Sequence, residues 1–167
     1  TPQWIDVRPS NTGLGGAVYL TVEPDDCGNI WSGGHIPFFS EGAVSRFDET
    51  TWTAWSNIEG FIPNARVHDI AFDSQGGLWV ACNANMNFNE HGGVAYCNGT
   101  SWTTWDHSNT PIIEDYMRGI VVDHNDVVWT TFYNVQTGDG GVAKFDGTTW
   151  TVYTPQNSPL QSNVVDK

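Results

Sequence analysis

Positive charge is scarce in this chain, and its scarcity excludes several partners. Six of the 167 residues are Lys or Arg and nineteen are Asp or Glu, so the formal net charge is −13. Proteins that bind nucleic acid or anionic lipid headgroups need clustered basic side chains to neutralise phosphates. We therefore expect no nucleic-acid partner. The excess of acidic residues has two interpretations: it keeps the surface well solvated, or it favours binding of cations and neutral polar ligands.

Long apolar runs are missing too, and helix-forming residues are few. No stretch of about 18 consecutive apolar residues occurs, so we expect no membrane insertion. No basic segment followed by an apolar run opens the chain, so a secretion signal is expected to lie upstream or to be removed. Ala, Leu, Lys and Glu are uncommon, whereas nine Trp, eight Phe, five Tyr and eighteen Gly suit strands and turns. This composition predicts an all-β protein.

Only three cysteines occur, and they leave two interpretations open. Cys82 and Cys97 are expected at the ends of two neighbouring antiparallel strands, so a disulfide between them is one interpretation. We favour a small buried thiol, because Cys97 stands where the other repeats have Phe47 and Phe145. Cys27 fits a turn.

Tryptophan is what this chain has in abundance, and its spacing is regular. Trp occurs at position 4 and as the second residue of the segments 51–55, 101–105 and 149–153, and these four tryptophans are 48, 50 and 48 residues apart. A fixed period of this size indicates one supersecondary unit that is repeated and stacked.

Each repeat divides into four strand-like pieces. The first piece is rich in β-branched residues and covers residues 17–22, 66–72 and 117–122, and it begins again at 164–167. An Asp-led turn follows each time, at residues 25–28, 73–76 and 123–126. The second piece contains Trp31, Trp79 or Trp129, the third begins near Gly42, Gly93 or Gly141, and the fourth is the Trp segment.

The link between the third and fourth pieces has a strong turn signal. Asn98-Gly99 and Asp146-Gly147 predict hairpins with a type I′ turn. In the fourth piece, Trp52 and Trp55 must point to opposite faces of a strand. Both indoles escape water only if a sheet covers each face, so we expect Trp79 and Trp129 to be buried between neighbouring sheets.

Four antiparallel strands in about 48 residues, repeated without helices, form the unit of a β-propeller blade. The sequence therefore predicts a β-propeller segment with blades at approximately 17–55, 66–105 and 117–153, and leftover strands at 4–7 and 164–167. Propellers close with about four to eight blades. We expect the remaining blades to come from a longer parent chain or from another chain.

Three motifs resemble a known family. They are Asp-x-x-Gly-x-x-Trp at 73–79, Gly-Gly-Val-Ala-x-Phe-Asp-Gly-Thr-x-Trp at 140–150, and Asn-Ser-Pro-Leu-x-Ser-Asn-x-Val from Asn157. This pattern resembles the two-component-regulator propeller repeat. Residues 47–50 lack the turn Gly of that pattern, and Asp126 stands where Gly is usual.

The resemblance has implications for location and role. The family occurs in periplasmic sensor portions of hybrid histidine kinases and in secreted or surface proteins, so it implies an extracellular, cell-surface or periplasmic location. It also implies sensing or binding, and it supplies no general catalytic motif.

The loops between second and third strands are the main functional signal. Residues 32–41, 83–91 and 132–139 exceed the two to five residues usual for hairpins. Aromatic rings with amide and carboxylate groups suit a neutral sugar or a peptide. Our candidate ligand-binding residues are His35, Phe39, Glu41, Asn87, Phe88, Glu90, His91, Tyr133 and Asp139. The alternative is that the Phe side chains cap neighbouring blades and the polar groups are merely solvated.

Signals for metal binding and catalysis are weak. The turn aspartates lack the alternating ligands of an EF-hand, and the five histidines show no zinc-type spacing. Glu90 and His91 are adjacent, which establishes no mutual geometry for acid–base work. No nucleophile elbow, phosphate loop or dinucleotide fingerprint appears. We therefore predict no cofactor, no metal and no catalytic residue.

Three functions remain at this stage. A non-catalytic extracytoplasmic module that binds a glycan, a peptide or a protein agrees best with the loops and with the resemblance. A structural spacer or assembly module is the first alternative. A fragment of a propeller lyase or glycosidase is the second.

Overall fold

The structure, a computed structural model, describes residues 18–35, 42–56, 60–63, 65–84 and 91–165. Twelve strands run in order: β1 Val18–Pro24, β2 Ile30–His35, β3 Gly42–Phe47, β4 Trp52–Ser56, β5 Ala65–Phe72, β6 Leu78–Ala84, β7 Gly93–Cys97, β8 Trp102–Trp105, β9 Met117–Val122, β10 Val128–Tyr133, β11 Gly140–Phe145 and β12 Trp150–Tyr153. They form three four-stranded antiparallel sheets in which sequence neighbours pair. We call them blades 1, 2 and 3. The predicted all-β propeller segment is confirmed.

Helices are absent from the described part of the chain, so no helix there could cross a membrane. The strand predicted at 4–7 lies outside the described residues. Val164 and Val165 lie in no strand, and residues 166–167 are outside the described range.

The turn between the first two strands of a blade explains the Asp that precedes Trp by six residues. Asp25 Oδ1 accepts hydrogen bonds from the backbone N–H groups of Cys27 and Asn29, at 3.0 and 2.9 Å. Its Oδ2 accepts one from Trp31 Nε1 at 2.8 Å. The same indole bond recurs at 3.3 Å from Trp79 to Asp73 and from Trp129 to Asp123. The predicted turn role of these aspartates is confirmed.

Replacing Asp25 tests this turn. Asp25→Ala should lower the free energy of unfolding by about 1–3 kcal/mol, because it removes the acceptor of several hydrogen bonds at once. Asp26→Ala is the matched control: its side chain is exposed and lies in the same turn, so a change within about 0.5 kcal/mol is expected. Urea denaturation measures both. Equal effects would show that the carboxylate of Asp25 does not hold the turn.

The hairpins between third and fourth strands are present, but their predicted type I′ turn is wrong. The pair Cys97↔Trp102 leaves a four-residue loop. Within it Gly99 has a φ of 93°, and Asn98 does not have a positive φ. Asn98 Oδ1 instead accepts the backbone N–H groups of Thr100 and Ser101 at 3.0 and 2.9 Å. A side-chain acceptor therefore organises this loop, and one residue with positive φ is enough.

The blades pack face to face, and blade 2 lies between the other two. One of its faces, with Val67, Val80 and Cys82, packs against Val44 of blade 1. Its other face, centred on Trp79, packs against blade 3. The apolar core therefore consists of two layers, one at each boundary between blades.

Trp79 and Trp129 stand at equivalent positions of their repeats but differ in burial. Trp79 is 6% exposed, and its ring centroid lies 5.8 Å from that of Phe145 in blade 3. Trp129 is only half-buried, on the outer face of blade 3 beside Tyr153 and Leu160. The expectation of burial between sheets therefore holds for Trp79 and is wrong for Trp129 among the described blades.

The described cysteines are free thiols and form no disulfide. Cys82 is fully buried, and this burial raises the pKa of its thiol. Cys82 pairs with Gly93, whereas Cys97 pairs with Leu78 at the other end of the same two strands. Four residues along a strand span about 13 Å, which is too far for a disulfide.

The first strands of the three blades lie at the inner edge of the sheets and are linked by one carboxylate. Asp69 of β5 is 4% exposed. It accepts hydrogen bonds from Thr21 Oγ1 of β1 at 3.2 Å and from the backbone N–H of Ile120 in β9 at 2.8 Å. All three inner strands also carry a β-bulge, where the ladder skips Leu20, His68 and Arg118.

Candidate functional site

One side of the structure collects the long connections of all three blades. We call it the loop face: it carries the connections β2–β3, β6–β7 and β10–β11, and the connections β4–β5 and β8–β9 between blades. Phe39, Glu41, Asn87, Phe88 and Glu90 lie outside the described residues. The other four candidates are described.

The four described candidates occupy two kinds of position. His35 and Tyr133 are the last residues of β2 and β10, so their assignment to loops is wrong: the strands extend further than the composition indicated. His91 and Asp139 lie in connections and are exposed. No hydrogen bond or ring contact joins any two of these four described residues. The structure therefore shows no direct contact among these four side chains.

The β10–β11 connection is compact, and its own polar groups hold it. The backbone N–H of Asn134 donates to the carbonyl of Asp139 at 2.8 Å, and Asn134 Oδ1 accepts from the N–H of Gln136 at 2.8 Å. The side-chain amide of Asn134 donates to Glu114 Oε2 at 3.0 Å. This last bond ties the connection to the segment that enters blade 3, so the extra length has a partly structural use.

Two arginines, two histidines and a tyrosine lie near the ends of the inner strands. We call His35, Arg66, His68, Arg118 and Tyr133 the inner-strand cluster. The Cζ atom of Arg118 lies 5.4 Å from the Tyr133 ring centroid, and His68 Nδ1 lies 2.7 Å from the Arg118 carbonyl oxygen. Burial, together with the charges of Arg66 and His68, lowers the pKa of His35. Such a group of donors beside an aromatic ring suits oxygen-rich ligands.

Two members of the inner-strand cluster, His35 and Tyr133, are among the candidates that the sequence predicts. Arg66 and Arg118 are 52 residues apart, and a pattern along the chain does not indicate that they approach the same end of adjacent strands. Arg118 and His68 occupy equivalent positions in successive repeats, and this equivalence is the signal that could have found Arg118, since equivalent residues of neighbouring blades lie side by side.

A second group on the loop face contains one predicted residue, His91, and two that the sequence pattern does not indicate, His107 and Asp115. We call His91, His107 and Asp115 the histidine–aspartate cluster. Nδ1 of His91 and Nδ1 of His107 lie 3.3 and 2.5 Å from the same oxygen, Oδ2 of Asp115, and the two ring centroids are 5.2 Å apart. Hydrogen bonding to Asp115, and then its negative charge, raises the pKa of His107. Separations of 16 and 8 residues in sequence gave no metal-site signal.

This packing of three four-stranded sheets defines a segment of a β-propeller. Residues 61–84 match the two component regulator propeller repeat. The matched segment contains the Asp73–Trp79 turn motif and strands β5 and β6, so the resemblance seen in the sequence is confirmed for this repeat.

Solved structures with the same fold include bacterial extracellular proteins. The extracellular domain of a hybrid two component system from B. thetaiotaomicron has a TM-score of 0.70 and 17% identity over 98% of this chain and 20% of its own. PorZ, a surface component of the type-IX secretion system of Porphyromonas gingivalis, has a TM-score of 0.67 and 16% identity over 99% of this chain and 22% of its own.

A third similar structure is smaller. A fucose lectin from Kordia zhangzhouensis has a TM-score of 0.52 and 15% identity over 79% of this chain and 95% of its own. At such identities the likeness concerns the fold. The chain spans about a fifth of the length of the first two structures. No curated protein matches the chain.

Proposed function

We propose that this chain is part of a non-catalytic, extracytoplasmic propeller module that binds a ligand on its loop face. The observation that carries the proposal is the inner-strand cluster. It places two guanidinium groups, two imidazoles and a phenol near the same end of the inner strands, in a chain whose net charge is −13. Two of the chain's six Lys and Arg residues thus stand at one end of the inner strands, and binding of an oxygen-rich ligand offers a use for their donors.

The chemistry of the cluster favours a glycan or a peptide. A half-buried Tyr133 ring offers an apolar platform, and the donors of Arg118 and His68 can bind hydroxyl, carbonyl or carboxylate oxygens. The extracellular domain of a hybrid two component system and the surface protein, which have the same fold, support an extracytoplasmic location. The lectin with this fold makes glycans the first class to test.

Tyr133→Ala tests the site. We expect at least about a tenfold loss of affinity for a ligand identified on a glycan or peptide array, because the variant removes the aromatic platform. The melting temperature should change little, since the ring is half-buried at a strand end. Isothermal titration calorimetry and thermal melting measure the two effects.

Tyr153→Ala is the control for this variant. Tyr153 is equally half-buried, in the fourth strand of the same blade, and its loss should leave the affinity unchanged. A large drop in melting temperature for Tyr133→Ala would identify that ring as a packing residue. Unchanged affinity would remove it from the site.

A structural module remains the alternative, and the outer face of blade 3 favours it. Trp129, Val142 and Tyr153 line an apolar pocket there, and they are equivalent to the residues of blade 2 that pack on blade 3. A further blade, from a longer chain or another chain, fits this face. The absence of any binder on the arrays would favour this function. Turnover that is lost in Glu90→Ala or His91→Ala would instead indicate a lyase or glycosidase.

A further inference from the structure

We propose that the histidine–aspartate cluster binds one divalent transition-metal ion of the zinc type. The inference is independent of ligand binding at the inner-strand cluster. It rests on three donor side chains, from two connections of the loop face, whose ligand atoms all lie within 4.8 Å of one another.

The fold brings these connections together by close backbone contact. His91 lies at the end of the β6–β7 connection, whereas His107 and Asp115 lie in the β8–β9 connection. At Gly92 a Cβ atom would overlap the carbonyl oxygens of Cys82 and Asp115, so only glycine allows this approach. The backbone N–H of Ala84 also donates to the carbonyl of Asp115 at 3.2 Å. His91 is thereby held over the Asp115 segment.

The carboxylate of Asp115 is buried and oriented. Its side chain is 6% exposed, and its Oδ1 accepts the backbone N–H of His107 at 2.8 Å. This bond leaves Oδ2 directed at the two imidazoles. A carboxylate with such an outer hydrogen bond is typical of metal ligands, because the bond fixes the orientation of the coordinating oxygen.

The buried charge of Asp115 lacks a permanent cation. Among the described residues, no Lys or Arg pairs with this carboxylate, and its ionic partners are the two histidines. Neutral imidazoles compensate a buried negative charge only in part. A divalent ion bound between the three groups would compensate it without a proton on either ring.

The separations of the donor atoms suit a small ion. Zinc bonds to nitrogen and oxygen of about 2.0–2.1 Å in a tetrahedron place the ligand atoms roughly 3.3 Å apart. Nδ1 of His91 already lies 3.3 Å from Oδ2 of Asp115. Nδ1 of His107 lies at 2.5 Å, so its ring must withdraw by about 1 Å to admit the ion. The ring is 46% exposed and has room to turn.

The donor set selects among metals. Two imidazole nitrogens and one carboxylate oxygen suit Zn²⁺ and its transition-metal neighbours, whereas Ca²⁺ and Mg²⁺ take oxygen ligands. The carboxylates of Asp106 and Glu114 also act electrostatically on His107, so the surroundings attract cations. Three protein ligands leave at least one coordination position for water or for a group of a bound molecule.

Calorimetric titration of the metal-free 167-residue chain with Zn²⁺ tests the site. We expect one equivalent to bind and the melting temperature to rise with the zinc concentration, because the ion binds the folded state. His91→Gln and His107→Gln should each weaken zinc binding by at least roughly 10-fold. Even the loss of an outer-shell partner of a metal ligand typically weakens binding roughly 10–100-fold. Both side chains are exposed, so these variants should fold.

His124→Gln is the matched control, because it removes an exposed histidine from the β9–β10 turn at the opposite side of the blade. Its zinc affinity should equal that of the unchanged protein. The proposal is overturned if no equivalent binds, if the double variant of His91 and His107 binds as well as the parent, or if His124→Gln abolishes binding. Saturation by Ca²⁺ at equal concentration would also contradict it.

Discussion

Trp79→Ala should lower the free energy of unfolding by about 3–5 kcal/mol, the range typical of a buried Trp replaced by Ala. Trp79 is 6% exposed. Its ring stacks on Trp105 of its own blade at 5.5 Å and reaches Phe145 of blade 3 at 5.8 Å. Truncation would therefore leave a cavity at the boundary between two blades. Urea denaturation followed by circular dichroism measures the loss.

Trp129→Ala is a closely matched comparison. Trp129 occupies the same position in its repeat and donates the same 3.3 Å indole bond to a turn aspartate. It differs in being half-buried on the outer face of blade 3, where Tyr153 lies 6.1 Å away. We expect a loss of about 1–2 kcal/mol. The difference between the variants isolates the packing between blades, and equal losses would show that this packing contributes little.

Asp69→Ala should produce the second large effect, a loss of roughly 2–4 kcal/mol. The variant leaves the buried N–H of Ile120 without its acceptor and removes the partner of Thr21. Stranding buried donors costs more than the hydrogen bonds themselves contribute. Chemical denaturation again gives the free energy of unfolding.

Asp126→Ala serves as the control for Asp69→Ala. Asp126 also bonds across blades, accepting from the backbone N–H and the hydroxyl of Ser74 at 2.8 and 2.6 Å. That contact is exposed, so water replaces the lost partner and we expect a smaller loss of stability than at Asp69. If the two aspartates had equal effects, burial would not be the cause of the effect at Asp69.

The sequence predicted those features of the fold that depend on local chemistry. The Asp that precedes each Trp by six residues marks a turn because the carboxylate bonds the turn backbone and the indole together. Such bonds repeat with the sequence period. The hairpin at Asn98 was found for the same reason, although its turn type depended on a side-chain acceptor that residue preferences do not specify.

The candidate sites depend on distant parts of the chain, and for this reason they were found only in part. His91 was selected for its loop position, but the residues it contacts, such as Asp115, are 24 positions away. His35 and Tyr133 end strands β2 and β10, but the sequence pattern predicts loops there because their side chains do not mark a strand end. Only the packing of one blade on the next defines these neighbourhoods.

The β-bulge of each inner strand places one residue outside the regular pairing of the sheet. The skipped residue in each blade has no partner directly across the ladder, and the three blades carry Leu20, His68 and Arg118 there. An apolar, a titratable and a permanently charged side chain thus occupy the same backbone site. The same bulge therefore accepts side chains of different chemistry while the four-stranded scaffold stays unchanged.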